Sequence, residues 1–501
     1  MSETSSSSAA TAAAVVSKAG TASQFVTFSQ RYDAGTRFAY SAYLSSQAGS
    51  SGNALYVILE RDATPEMSAL CEGLVRDGSI PEGLFLFVYP GWHYPRNGQL
   101  EKRLMRAVEF DEYGPEFIDC ILGELLPPVL AHYGIALADA PEMHFITGGS
   151  SGGMLAWSAL WLRNGFFRRG WLSSPTFSAM RGGEMPMFLV RRCEPRPMRL
   201  YVTCGTEEPD YFFGDSFYAA CNAKSSFECA GYDCAFECFP KATHCSNYME
   251  DVLFRKVMRH LWQGWRQQKP IVRAAGSYRF QTLCGNQPTW EECNSAEMPS
   301  MDHRSAATPY GTYTAEGGCI HLEKADGARV LCTDSLGEIT AIALSVDHER
   351  LYVADSRRRY IYAFKLSADG TFHGEFKHAQ LFLAQDCRTI GATDCCIGQD
   401  DRLFAATELG IQCVCSFGLQ DIILPLPGDA PAVRVALQGK LLYASDGKHA
   451  YRRPLAASGE RTSTMPVNSA SPTYGDGFDY SRKHFDSLMS QVSPNKTISE
   501  F

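Results

Sequence analysis

Residues 143–165, MHFITGGSSGGMLAWSALWLRNG, hold the residue types and spacing that nucleophilic acyl transfer requires. Met143 to Thr147 is a short apolar, β-prone run, and Met154 to Leu162 continues as an apolar helix that Asn164-Gly165 can end. Between them Gly148, Gly149, Gly152 and Gly153 permit backbone angles and close approaches that side chains would forbid. A serine there is held at the mouth of a sheet, in a nucleophile elbow. The pattern G-x-S-x-G fits twice, around Ser150 and around Ser151, so the motif alone leaves both open.

The string GGSSGG resembles the G-x-S-x-G-G elbow of the esterase D / enterochelin esterase family, which includes feruloyl esterases attached to xylanases. That resemblance implies Ser150 as nucleophile and the backbone N–H of Ser151 as an oxyanion donor. It also implies an acid and a histidine, following the serine in that order after successive strands. After the strand LYVTC, Leu200 to Cys204, the turn Gly205 to Asp210 resembles the family's G-T-x-D acid turn, with Glu208 in the acid position and Asp210 as second candidate. AGYDCAFECFPKATH, Ala230 to His244, resembles the family strand leading to its catalytic histidine, with Thr243 in place of a glycine, and points to His244 as general base. His93 and His132 have no such context.

The chain departs from the family after the strand LYVIL, Leu55 to Leu59. Where the family has a Q-D-G turn carrying the second oxyanion donor, this sequence reads Glu60-Arg61-Asp62, which puts Arg61 in the donor position without the glycine. Losing one such donor costs about 100 to 1000-fold in rate, unless the turn keeps its shape. Thr36 to Tyr40 resembles the family's opening strand, and RAVEFDEYG, Arg106 to Gly114, its R-S-x-E-Y-D-x-x-G segment. Arg106, Glu109 and Asp111 are expected to form a structural charged bracket rather than to touch substrate. The aromatic loop Tyr89 to Gln99, at the carboxyl end of a strand, is placed to wall an acyl or aromatic pocket.

These residues need a scaffold. LYVIL, LFLFVY (Leu84 to Tyr89), MHFIT and LYVTC are near-continuous apolar runs, expected of strands buried on both faces of a parallel sheet. Glu116 to His132 and a stripe of Met249, Val252, Leu253, Val257 and Leu261 read as covering helices. Residues 25–268 therefore read as an α/β-hydrolase domain. From about Gly276 the sequence turns to short strands broken by Gly, Asp and Asn. Ile339 to Ser356, Arg402 to Pro427 and Val433 to Leu455 resemble blades of a gluconolactonase/regucalcin-type β-propeller. The fold class is α/β plus all-β, with 269–308 as linker or degenerate first blade and 309–456 as a propeller that is short or degenerate, since ~45 residues per blade leaves too little chain for six. Residues 1–24 and 457–501 read as disordered tails.

In the propeller family the resemblance implies a central divalent cation held by Asn and Asp. Thr340 and Thr393 stand at those places, leaving Glu316 and Asp394 as weak candidates, so no metal is expected. Cys229, Cys234, Cys238 and His244 lack zinc-knuckle spacing, and the 18 cysteines are expected to be buried thiols in a reducing compartment. A net charge of -9 with scattered basic groups excludes a nucleic-acid role, and no apolar run is long enough to span a bilayer. Without the basic start and apolar stretch of a secretory signal, cytoplasm is the expected address.

The resulting expectation is a cofactor-free serine esterase acting on a small or aromatic acyl ester. The alternatives are a weakened pseudo-esterase that binds a protein or sugar partner through its propeller, and a metal-dependent lactonase.

Overall fold

The computed structural model describes residues 18–94, 103–178, 180–300, 302–384 and 387–456. It divides into two compact units, Met1–Asn286 with Ala384–Cys387, and Gln287–Leu383 with Arg388–Phe501.

The first unit is built on a ten-stranded mixed sheet. Its strands are β1 (Ala22–Phe28), β2 (Arg37–Leu44), β3 (Ala54–Leu59), β4 (Gly83–Val88), β5 (Trp92–His93), β6 (Arg103–Leu104), β7 (His144–Gly149), β8 (Arg169–Ser173), β9 (Arg199–Glu207) and, after a small hairpin β10–β11 (Asp210–Tyr211 and Gly214–Asp215), β12 (Asp233–Thr243). Their order is β12-β9-β8-β7-β3-β4-β2-β5-β6, with β1 also paired to β2. From β12 to β4 every pairing is parallel, and the β2 side is antiparallel. The parallel core explains the sequence pattern: every residue of β3, β4 and β7 is buried. Such strands cannot alternate polar and apolar residues, because both faces are covered.

The first unit's helices include α1 (Pro65–Arg76), α2 (Glu116–Cys120), α3 (Leu126–Tyr133), α4 (Ser151–Leu162), α5 (Met185–Arg192), α6 (Ser216–Ala230) and α7 (Asp251–Leu261). The expected single helix from Glu116 is interrupted by a π-helical turn, Ile121–Leu125. Pro127 and Pro128 have no N–H to give the carbonyls one turn earlier, and the N–H of Leu126 bonds to the Ile121 carbonyl instead. In α7 the buried face is Leu253, Phe254, Val257, Met258 and Leu261. Of the expected stripe only Val252, 74% exposed, faces away; Met249 is buried in the same core but precedes the helix, with φ 66°. The core above α7 stacks Tyr56 on Phe85 at 4.2 Å and Tyr56 against Trp262 at 5.2 Å. Each such buried ring contributes about 1.5–3 kcal/mol by leaving water.

Part of the expected tail is strand. β1 opens at Ala22, its residues alternate between half-buried and exposed, and Phe25 stacks on Tyr40 of β2 at 5.5 Å. Residues 1–17 and 457–501 lie outside the described residues.

The second unit is a four-blade propeller arrangement of four-stranded sheets. Three blades are consecutive: β14–β17 (Ser305–Thr308, Gly311–Glu316, Cys319–Glu323, Arg329–Thr333), β18–β21 (Ile339–Leu344, Arg350–Asp355, Tyr360–Leu366, Phe372–Gln380) and β22–β25 (Asp394–Ile397, Leu403–Thr407, Gly410–Val414, Gln420–Leu424). The fourth joins β26–β28 (Arg434–Gln438, Leu441–Ser445, Ala450–Pro454) to β13 (Glu291–Cys293), which precedes the first blade in the chain. Residues 269–308 are therefore neither a linker nor a failed blade. Residues up to Asn286 belong to the first unit, while Glu291–Cys293 completes the last sheet and Ser305–Thr308 is the first strand of the first. Ala341, Ala343, Ala354, Ala363, Ala379, Ala392 and Ala405 form much of one inter-blade core, small enough for the sheets to approach closely.

Candidate active site

β7 ends at Gly149 and α4 starts at Ser151, so the whole turn is Ser150, with φ 57° and ψ -122°. A side chain held there costs about 1–3 kcal/mol, which the surroundings must overcome. They do so from both sides: the Ser150 N–H donates to the Ser173 carbonyl (2.8 Å), and the Ser150 carbonyl accepts from the N–H groups of Gly153 (2.9 Å) and Thr176 (3.2 Å). None of Gly148, Gly149, Gly152 and Gly153 has a positive φ, which corrects half of the reason expected for them. Their role is space: a Cβ on Gly148 would sit 2.2 Å from the Gly152 backbone, and one on Gly153 3.0 Å from Pro175.

The two serines of the double motif are placed differently. Ser151 is 3% exposed, and its Oγ accepts from Arg106 Nη1 at 2.7 Å and bonds to Asp111. Ser150 Oγ has one neighbour among the described residues, Thr176 Oγ1 at 3.4 Å.

Glu208 and His244 are brought together. β9 and β12 are parallel neighbours at the edge of the sheet, so the turns leaving their carboxyl ends meet. His244 Nδ1 lies 2.5 Å from Glu208 Oε2. The other carboxylate oxygen accepts from Ser174 Oγ (2.5 Å) and the Gly205 N–H (3.0 Å). Burial pushes the Glu208 carboxyl upward, but hydrogen bonds from His244, Ser174 and Gly205 outweigh it and hold it below the usual value. His244 is raised above the ordinary imidazole range, first by its hydrogen bond with the adjacent Cys245 thiol and then by Glu208, against burial. Asp210 is not part of this group: it is exposed and pairs with Asp215 in the β10–β11 hairpin. Among the described residues no hydrogen bond joins His244 to Ser150.

Across from the elbow, the turn after β3 keeps a bent backbone without glycine. Glu60 has φ 56°, a left-handed conformation that disfavours side chains. Its carboxylate receives Arg106 Nε at 2.5 Å and Nη2 at 2.9 Å. Arg61 anchors the next residue: its guanidinium donates to the Glu60 and Tyr248 carbonyls (2.8 and 3.2 Å) and lies 4.7 Å over the Tyr248 ring. Among the described residues the N–H of Arg61 and that of Ser151, at the start of α4, have no acceptor. Arg106 thus does more than bracket Glu109 and Asp111, whose partners lie elsewhere. Glu109 accepts the Gly91 N–H at 2.7 Å, and burial lifts its carboxyl to about 8. Burial likewise raises Asp111, opposed by its bond to Ser151.

Beside Glu60 and Arg106 opens a cavity of about 490 Å³ walled by Ala39, Tyr89, Pro90, Trp92 and Leu104. The rest of the aromatic loop expected to line a pocket, 95–99, lies outside the described residues.

In the second unit the two metal candidates do not converge. Glu316 is exposed and ion-pairs with Arg329 at 3.0 Å, while Asp394 is buried and bonds to His303 Nδ1 and the N–H groups of Cys395 and Val435 (both 2.9 Å). Among the described residues no group of three or more His, Cys, Asp or Glu could hold a metal ion, and the cluster around Cys234 and Cys238 is no exception. Cys229, expected to be buried, is exposed.

Sequence reasoning passed over four contributors: Glu60 as a partner, Thr176, Ser174 and Cys245. A charged Glu60 directly after a buried apolar strand was the one available signal, since it needs a counter-charge.

No family model and no curated protein matches the chain. Its structure is similar to enterochelin esterase from Shigella flexneri (16% identity, TM-score 0.38, 49% of this chain and 59% of that one). It is also similar to a ferulic acid esterase (14%, 0.36, 48% and 97%) and to a gluconolactonase from Xanthomonas campestris (21%, 0.24, 27% and 44%). The chain spans less than two thirds of the length of the enterochelin esterase and of the gluconolactonase. The chain is thus a two-unit protein with esterase-type and gluconolactonase structural neighbours, a parallel-rich mixed sheet in one unit and a four-blade arrangement in the other.

Proposed function

We propose that the first unit is a serine carboxylic-ester hydrolase of the α/β-hydrolase type. The observation that carries this reading is the strained Ser150 at the β7–α4 turn, on the sheet edge where Glu208 grips Nδ1 of His244. The sheet order supports it: numbering the eight main strands along the chain gives 1-2-4-3-5-6-7-8, with serine after the fifth, acid after the seventh and histidine after the eighth.

With Nδ1 committed to Glu208, the base is Nε2 of His244. Proton transfer requires the Ser150 side chain, whose Oγ faces Thr176 Oγ1 at 3.4 Å, to turn toward Nε2. Ser150 Oγ attacks the acyl carbon as its proton passes to His244, and the N–H groups of Ser151 and Arg61 receive the developing oxyanion. His244 then protonates the departing alcohol, and water activated by the same imidazole releases the acid and frees the serine. Ser151 cannot take the nucleophile's part while its hydroxyl is engaged by Arg106 and Asp111. Tyr89, Pro90, Trp92 and Leu104 suit an apolar or flat acyl group.

The test is hydrolysis of a panel of short-chain and aromatic aryl esters by the full chain and by Ser150→Ala. Turnover that vanishes in the variant supports the reading. The missing bond between Ser150 and His244 favours a second one, a pseudo-esterase scaffold, which a wild type without turnover on any ester would support.

A further inference from the structure

The turn after β3 and the start of α4 are the two banks of any oxyanion hole in this fold, and one guanidinium spans them. Arg106 holds both oxygens of Glu60 through Nε and Nη2 and the Ser151 hydroxyl through Nη1. Each partner is itself, or stands next to, a residue with a free backbone N–H: Glu60 precedes Arg61, and Ser151 carries its own. Building on the esterase reading above, we propose that Arg106 is a positioning residue that sets the spacing of the two oxyanion donors and holds Glu60 in its left-handed conformation.

The anchor is suited to this task. Arg106 opens a one-turn helix, Arg106–Glu109, that is fastened below by the Met105 N–H on the Gly91 carbonyl (3.0 Å) and by buried Glu109 on the Gly91 N–H. The planar fork fixes direction as well as distance, which a lysine ammonium cannot do. A merely stabilising ion pair fits less well. Both side chains are partly open to solvent, 33% for Arg106 and 22% for Glu60, where pairs add little to folding. The unfavourable φ of Glu60 needs a restraint at that one residue, and its carboxylate supplies the handle.

The test is a double-mutant cycle on the full chain with an ester that the wild type turns over, reading kcat, KM and melting temperature. Arg106→Gln is expected to lower kcat about 100-fold, within the range for loss of one oxyanion donor, with KM changed less than about threefold. Arg106→Lys is expected to recover less than about a tenth of the loss. In a Glu60→Gly background, where glycine adopts the turn unaided, Arg106→Gln should cost less than about fivefold. A kcat in Arg106→Gln within twofold of wild type, or an equal loss in both backgrounds, overturns the proposal and leaves the esterase reading standing. If Arg106→Gln does not fold, the cycle is read with Arg106→Lys. A wild type that hydrolyses no ester overturns the esterase reading and this one together.

Discussion

The polar groups of the first unit's sheet edge and those at the centre of the second unit's blades are alike in burial, half-buried except for Ser151 and Asp394, and differently employed. At the sheet edge, Ser150 Oγ has a single long contact, and the N–H groups of Ser151 and Arg61 have no acceptor among the described residues. At the blade centre, Thr340 Oγ1 donates to the Ala392 carbonyl (2.8 Å), Thr393 Oγ1 to the Ala432 carbonyl (3.1 Å), and Asp394 is surrounded by His303 and two N–H groups. Donors left over mark a place prepared for a substrate. Donors matched to neighbouring blades mark a joint. Thr340 and Thr393 tie one sheet to the next, and this gives their presence a physical reason.

Breaking the first region should remove activity and leave the fold. Ser150→Ala and His244→Ala are expected to lower kcat by about 10³-fold or more, measured on an aryl ester, with circular dichroism unchanged. Glu208→Gln should come next, at about 10²–10³-fold, because it loses the charge that orients and supports the imidazole, while Asp210→Asn stays within twofold. An Asp210→Asn variant as impaired as Glu208→Gln would undo the assignment of the acid.

The sharpest contrast is at the blade centre. Asp394→Asn is expected to leave kcat within twofold but to destabilise the second unit by about 1–3 kcal/mol, since the buried carboxylate that bonds to His303 and two N–H groups is lost. Two-transition thermal unfolding reads this directly. A chelator should leave that transition in place, and a drop of several degrees with EDTA would instead reveal a bound cation. Smallest is Thr340→Ala, about 1 kcal/mol for a lost buried hydrogen bond in the same transition.

A further prediction concerns pH. Because the Cys245 thiol and Glu208 raise His244, the imidazole keeps its proton to higher pH, and the base form appears only as pH climbs through that raised value. The acid limb of kcat/KM should therefore lie above the ordinary histidine range, and Cys245→Ala should shift it downward. A limb unmoved by that substitution would remove Cys245 from the account.

The parts of this site carried by contiguous residues were legible. The buried strands announced themselves as unbroken apolar runs, and the elbow as serine between glycines, because both depend on neighbours within a few positions. The motif alone could not separate Ser150 from Ser151, a choice left to the family resemblance, since what distinguishes them in the structure is Arg106, 45 residues earlier. Glu208 and Asp210 were likewise equal by spacing, and only the fold-back of the turn onto the Gly205 N–H and Ser174 selects one. Glu60 read as a defect because its partner is 46 residues away. β13 read as linker because its partner strand closes the sheet from the far end of the unit. Local chemistry is written locally, and pairings across the sheet are not.

The most direct test of the central claim is intact-mass labelling of the full chain with a fluorophosphonate, alongside Ser150→Ala, Ser151→Ala and His244→Ala. The account predicts one adduct on the wild type, retained in Ser151→Ala, slowed in His244→Ala and absent in Ser150→Ala. No adduct on the wild type, or an adduct that survives Ser150→Ala and disappears in Ser151→Ala, would contradict it.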